Sequence, residues 1–197
     1  MGRDRIISDS MQLVRTAYSI IDQDGFENFS ARKLAEVLGV SHMTVYNYMD
    51  RDEILGAVIV MGFAALEERF SLYAPPSARR EDGSCAVFTH IATELFDFAK
   101  AHPNIYRFMF QDSGGFVRDQ PRIRELYSSS IGLIRESIAP ERLNEIRGDA
   151  YLFFVLVNGL ILGNLNKRHS VTDEECSSNI ARAYELILGR HCAGTIL

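Results

Sequence analysis

Apolar residues recur at intervals of three and four along nearly the whole chain, the spacing that gathers one face of an α-helix. The first run extends from about Asp4 to Asp24, with Ile6, Ile7, Leu13, Val14, Ala17, Ile20 and Ile21 in register, and stops at Gly25. Phe26 and Phe29 bracket a turn before Ser30. From Ser30 to Met49, Leu34, Leu38, Val40, Val45 and Tyr48 form a seam at helical spacing that should be buried. Gly39 interrupts it, and glycine enters the left-handed conformation that ends a helix without steric cost. Ala35 is small enough for two helices to cross closely, and Val45 falls where the second should press back on the first. Ser30 and Ser41 are good N-caps. Asp50 and Glu53 make a capping box that opens a helix over about 50–73, in which Ile54, Leu55, Val58, Ile59, Met61, Phe63, Leu66 and Phe70 give a broad apolar face.

The remainder continues in the same period. Residues 74–83, with Pro75, Pro76 and Gly83 among charged groups, read as a polar loop. An amphipathic helix fits Ser84 to Ala101 and must stop before Pro103. A loop around Gly114 and Gly115 precedes a helix from about Gln120 to Ile138. Pro140 then breaks the chain, leaving room for a short helical segment up to Arg147. Two long helices follow, about Gly148–Arg168 and Thr172–Gly189. Tyr151, Leu152, Phe153, Phe154, Val155, Leu156, Val157, Leu160, Ile161 and Leu162 make the first apolar nearly all round. A helix without a polar face has to be covered on every side. Either a second subunit covers the surplus, or the pair is an ordinary core hairpin within one chain. Gly159 and Gly163, four apart, permit close helix approach in both cases. The pattern predicts an all-α protein with a three-helix helix-turn-helix domain over 1–50 (helix-turn-helix about 30–49). A helical domain over 51–197 follows, with helix 50–73 linking the two.

The seam that buries Val45 leaves His42, Met43, Thr44 and Asn47 facing out. A short helix with a mixed polar and apolar face has the shape that enters a major groove. Such helix pairs also occur in proteins that never meet DNA. Charge opposes the DNA reading: the chain carries −5, and residues 1–55 hold six basic side chains against nine acidic. What decides is the local face rather than the sum. Arg32 and Lys33 open the second helix, whose N-terminal amides can meet a phosphate. DNA binding should therefore fall less steeply with salt than that of a strongly basic domain.

Gly25, Phe26, Phe29, Ser30-Ala31-Arg32-Lys33-Leu34-Ala35, Leu38-Gly39-Val40-Ser41, Thr44-Val45-Tyr46 and Tyr48 stand at the spacing of a known signature. Residues 6–56 resemble the N-terminal DNA-binding domain of the TetR family of bacterial transcriptional regulators. His102, Pro103, Tyr106, Met109 and Phe110 resemble the entry to the sixth helix in part of that family. The resemblance implies that Ser30 holds a phosphate besides capping its helix, and that Arg32 and Ser41 lie at the DNA face. Tyr46 and Tyr48 match the family's aromatic positions, where the ring packs and the polar edge meets the backbone. His42, Met43, Thr44 and Asn47 become candidate base readers; Asn47 can pair with adenine, and Met43 or Thr44 can touch a thymine methyl. Two departures stand out: Met43 occupies a position that is often glycine, and Asp52 one that is often lysine, for which Arg51 is the substitute.

The family arrangement further implies a homodimer through about 148–168 and 172–189, an inverted-repeat operator, and a repressor released by a small effector. Phe88, Phe96, Tyr106, Phe110, Tyr127, Phe154 and Asn158 are the candidate lining of an effector cavity, with His90, Arg107 and Asn164 as further polar groups. Aromatic density of this kind also suits plain core. An apolar or aromatic effector fits it better than a sugar or nucleotide.

Other classes find less support. The chain has no phosphate-binding glycine loop or nucleophile elbow, and the histidines have no carboxylate partner at useful spacing, so no enzyme is expected. Cys85, Cys176 and Cys192 are odd in number and widely spaced, which indicates neither a disulfide framework nor a metal site. No cofactor is expected. Arg3, Asp4 and Arg5 lead into an amphipathic pattern rather than a signal core, and the run from Tyr151 to Leu165 is too short to span a membrane. A reducing bacterial cytoplasm is the expected location. An effector-independent DNA binder and a helical interaction protein without DNA binding remain as alternatives.

Overall fold

The structure, a computed structural model, describes residues 9–73, 86–112, 132–167 and 171–192. Every regular element among them is helical, as the periodicity predicts. They group into two compact units: one runs to Ala65 and takes in the segment from His102, and the other holds Leu66–Ala101 and the C-terminal helices.

In the first unit, α1 (Ser10–Asp24) begins where the Asp9 carboxylate accepts the Gln12 amide at 2.8 Å. It buries Leu13, Val14, Ala17, Ile20 and Ile21, as predicted, and ends at Gly25, which sits at φ +85°. A single 3₁₀ turn over Phe26–Asn28 leads to α2 (Ala31–Leu38) and α3 (His42–Tyr46). α4 (Arg51–Ser71) follows and runs past Ala65 into the second unit. α6 (Pro103–Arg107) starts with Pro103 at its first position, where a missing N–H costs nothing, and continues as a π-helical turn over Phe108–Asp112. Gly62 lies so close to the Met109 sulfur that a side chain there would collide with it.

A polar chain ties the end of α1 to α6. Asp22 Oδ2 lies 2.8 Å from His102 Nδ1, the Asn104 amide donates to the Asp22 carbonyl at 2.8 Å, and Arg107 donates to Asn104 Oδ1 at 2.9 Å. His102 has a carboxylate partner after all, eighty residues away in sequence and so invisible to any local pattern. Phe26 stacks on Phe108 at 4.5 Å.

The second unit contains α5 (Ala86–Ala101), a helical segment over residues 132–137, α7 (Pro140–Leu165), α8 (Asp173–Ile187) and α9 (Gly189–Cys192). One expectation is corrected here. Instead of a short segment to Arg147 and a new helix at Gly148, α7 is continuous from Pro140. Proline at the first helical position starts a helix rather than breaking one. Gly148, with open space where a side chain would be, weakens the interior by only about 1 kcal/mol. With 26 residues, α7 is the one described helix long and apolar enough to cross a bilayer by length and composition. Its Phe153, Val157 and Ile161 stripe is buried within the unit, where α7 packs on α5 and α8.

α8 opens with a complete capping box, Thr172 and Glu175 each satisfying the other's amide. Cys176 is buried and donates to the Leu160 carbonyl at 3.8 Å; burial pushes its thiol up from the usual range. Asp149 receives Arg190 and His191 from α9, and the Arg190 hydrogen bond, then that of His191, holds its carboxyl below the usual carboxylate range.

Candidate nucleic-acid interface

α2 and α3 acquire their geometry from three local devices. Ser30 caps α2 by accepting the Lys33 amide at 3.2 Å. Gly39 closes α2 at φ +69° and ψ +33°, in the left-handed region, with its N–H directed back to Ala35 and Glu36. The Val40 amide then bonds the Ala35 carbonyl at 3.0 Å, which fixes the turn. Ser41 caps α3 through the Thr44 amide at 3.1 Å and shares a hydroxyl–hydroxyl bond with Thr44 at 2.8 Å.

Packing does the rest. Leu34, Ala35, Leu38 and Val45 are buried, Val45 completely, and α2 packs on α3. With Val45 inside, His42, Met43, Tyr46 and Asn47 stand in solvent; Met43 is 60% and Tyr46 43% exposed. The His42 ring meets the Tyr46 ring edge-on at 5.4 Å, which steadies the outward face one helical turn apart. Thr44 is half-buried, its hydroxyl engaged by Ser41, rather than fully outward.

Tyr48 is a correction. The helical seam predicts it buried, yet it is 43% exposed. α3 ends at Tyr46 with Asn47 as its C-cap, so helical spacing no longer directs Tyr48. Val40, also in the seam, is only half-buried under the turn.

The cations are distributed unevenly. Arg32 is exposed at the start of α2. Lys33 is held by Asp24 at 2.8 Å, a pair nine residues apart that the sequence does not announce. Arg51 lies 5.8 Å from the centre of the Phe26 ring and 3.8 Å from Asp52. The expected box at α4 is formed: the Glu53 amide bonds Asp50 and the Asp50 amide bonds Glu53, each at 2.8 Å. The start of α4 therefore presents Asp50 ahead of the helix and Asp52 and Glu53 in its first turn, a set of carboxylates that opposes phosphate.

The predicted effector residues belong to both units, and each unit's set is described by itself. In the second unit Phe88 and Phe96 are buried on α5, Phe88 lies 5.9 Å from Phe154, and Asn158 is half-buried on α7. Tyr106 and Phe110 belong to the first unit, their rings 4.5 Å apart, and Phe63 meets Phe110 at 5.5 Å. Tyr127 lies outside the described residues. Asn164 is spent on Asp173 at 3.0 Å, bridging α7 to α8. His90 stacks against Tyr73 at 5.0 Å, and its Nε2 is buried without a hydrogen-bond partner among the described residues. Of the predicted set, Phe96 alone lines a groove of about 800 Å³ between α5 and α8, with Phe153 and Tyr184.

No family model and no curated protein matches the chain. Solved structures do. A TetR-family transcriptional regulator from Streptomyces coelicolor superimposes with a TM-score of 0.68 at 17% identity, covering 92% of this chain and 80% of that one. A TetR transcriptional regulator from Rhodococcus sp. RHA1 gives 0.64 at 18% identity, covering 91% and 94%. The fatty acid degradation regulator FadR from Bacillus halodurans gives 0.61 at 14% identity, covering 92% and 98%. The chain thus has the all-α fold of TetR-type regulators, at an identity where fold alone is shared.

Proposed function

We propose that this chain is a DNA-binding transcriptional regulator: a dimer that reads an inverted-repeat operator with one α3 from each subunit. The observation that carries the reading is α3 itself. A fully buried Val45 and a hydroxyl cap hold five residues rigid while His42, Met43, Tyr46 and Asn47 face solvent. Among the described residues of the first unit, nothing packs against that face in a way that needs a methionine, a histidine and a tyrosine exposed together on one short helix. A surface that meets base edges and thymine methyls does. Ser30, Arg32, Ser41, Tyr48 and Arg51 are the flanking groups assigned to backbone phosphates, which position the reader without carrying sequence information.

Pairing is supported by α7, whose Tyr151, Leu152, Val155 and Leu156 stand exposed along one face in the single chain, and by Leu186 of α8. A contiguous apolar surface of that kind marks an association site. Two-fold pairing gives two readers, and hence an operator with half-sites a whole number of helical turns apart. We assign the protein to the bacterial cytoplasm, as a repressor released by a small apolar or aromatic effector through unequal affinity for two states.

One observation favours a second reading, a helical interaction protein without DNA binding: the carboxylates of the first turn of α4. Selection of bound sequences from random duplex DNA by the purified protein separates the two. Enrichment of an inverted repeat is expected; recovery of no preferred sequence at low salt overturns the DNA reading. Adding candidate effectors to a mobility-shift assay on the selected site then tests release.

A further inference from the structure

The outward face of α3 divides into two rows. His42 and Tyr46 form one, their rings edge-on at 5.4 Å. Met43 and Asn47 form the other, one turn apart, with the Asn47 amide bonded to the Met43 carbonyl at 3.1 Å. Thr44 belongs to neither. It is half-buried, and its hydroxyl is bonded to that of Ser41 at 2.8 Å, while Ser41 also accepts the Thr44 amide. Two side chains, Met43 and Thr44, were candidates for contact with a base methyl. The fold engages Thr44 and leaves Met43 outside.

Met43 is 60% exposed, more than any other large apolar side chain among the described residues of the first unit. The core does not use it, since Val45 fills that role and is completely buried. It stands in the first turn of α3, just after the Ser41 cap. The N-terminal residues of a recognition helix are the ones that meet base edges.

A thioether is at most a weak acceptor and has no donor, so it cannot read the donor and acceptor pattern of a base pair. What it can recognise in the major groove is the apolar group presented there, the methyl on C5 of thymine. An unbranched, polarisable side chain adapts readily to such a group. Cytosine carries only hydrogen at C5, whereas 5-methylcytosine presents the same methyl group in the same place.

We propose that Met43 reads the C5-methyl group of one pyrimidine in each half-site, so that the operator is recognised by its methylation as well as by its sequence. The inference rests on the DNA reading above and adds to it the chemical group that α3 selects. Asn47, with donors and an acceptor on one amide, supplies the hydrogen-bonded part from the same row.

The test uses the full-length protein and the operator recovered by selection from random duplexes, titrated by fluorescence anisotropy. Each half-site is expected to hold a thymine that is sensitive to replacement by uracil, a change that removes only the methyl group. The loss should be about fourfold, the equivalent of one buried methyl, and about fifteenfold when both half-sites are changed. At the same position 5-methylcytosine should bind about fourfold more tightly than cytosine. The slope of log affinity against log salt should not move with the methyl group, because no phosphate contact is lost. Met43→Ala should bind the thymine and uracil operators alike, whereas Asn47→Ala should keep the preference for thymine. A preferred operator without thymine in its half-sites, one bound equally well with uracil, or a thymine preference that survives Met43→Ala overturns the inference and leaves the DNA reading standing. Recovery of no preferred sequence overturns both.

Discussion

Gly39 governs the turn between α2 and α3 at the scale of a single residue. Its backbone sits at φ +69°, where a Cβ approaches the following carbonyl and costs about 1–2 kcal/mol. Gly39→Ala is expected to lower the unfolding free energy by about 1 kcal/mol, seen as a shifted urea midpoint with an unchanged slope; an unmoved midpoint would remove the strain argument. Tyr46 and Asn47 test the surface that this turn positions. Tyr46→Ala should weaken operator binding without changing sedimentation. Asn47→Ala should relax base preference at one position per half-site by about 1–3 kcal/mol if its contact to adenine is bidentate. Gly39, Ser41 and Val45 were legible in the sequence because their roles depend on neighbours within four residues. Tyr48 was misread because the seam was extended one step beyond the last helical residue, and the Lys33–Asp24 pair was invisible because it needs the fold to bring it together.

At the scale of elements, the start of α4 is the strongest departure from a phosphate-binding surface. The Asp50–Glu53 box satisfies two amides from within the chain, and Asp52 adds a further carboxylate to the same turn. Asp52→Lys should therefore raise DNA affinity and steepen the dependence of log affinity on log salt by about one; an unchanged slope would place that turn away from the duplex. The docking of α9 on α7 depends on acid in a definite direction. Arg190 and then His191 lower the Asp149 carboxyl, so its contribution is present above the ordinary carboxylate range and is lost as pH falls through the lowered value, below about pH 4. Asp149→Asn should flatten the acid limb of the stability profile, followed by circular dichroism, and leave DNA binding unchanged. Helix existence was legible throughout the described chain, but the continuity of α7 was not. Pro140 carries the same letter whether it ends one helix or begins another, and only the extended backbone of Ala139 decides.

The whole molecule turns on what covers α7. In one chain Tyr151 is 70% and Leu152 55% exposed, with Val155 and Leu156 beside them, and among the described residues nothing outside the helix's own backbone stands within 4 Å of where side chains on Gly159 and Gly163 would be. The periodicity announced a helix apolar nearly all round, to be covered by a second subunit or within one chain, but could not tell which face would be left over. The structure leaves one with large side chains at its start and bare backbone toward its end, room for a partner helix to approach closely. Leu152→Glu with Leu156→Glu puts two carboxylates on that face. Each subunit should fold, since both positions are open to solvent in the single chain, but pairing would bury the charges at several kcal/mol each. Sedimentation should therefore move from dimer to monomer, with a dissociation constant raised at least about a thousandfold. Operator binding should fall to that of an isolated half-site, because one reader on one half-site forgoes the gain from a linked second contact. A double variant that still sediments as a dimer would assign pairing to another surface, and the spacing of the two readers would then have to be derived from that surface instead.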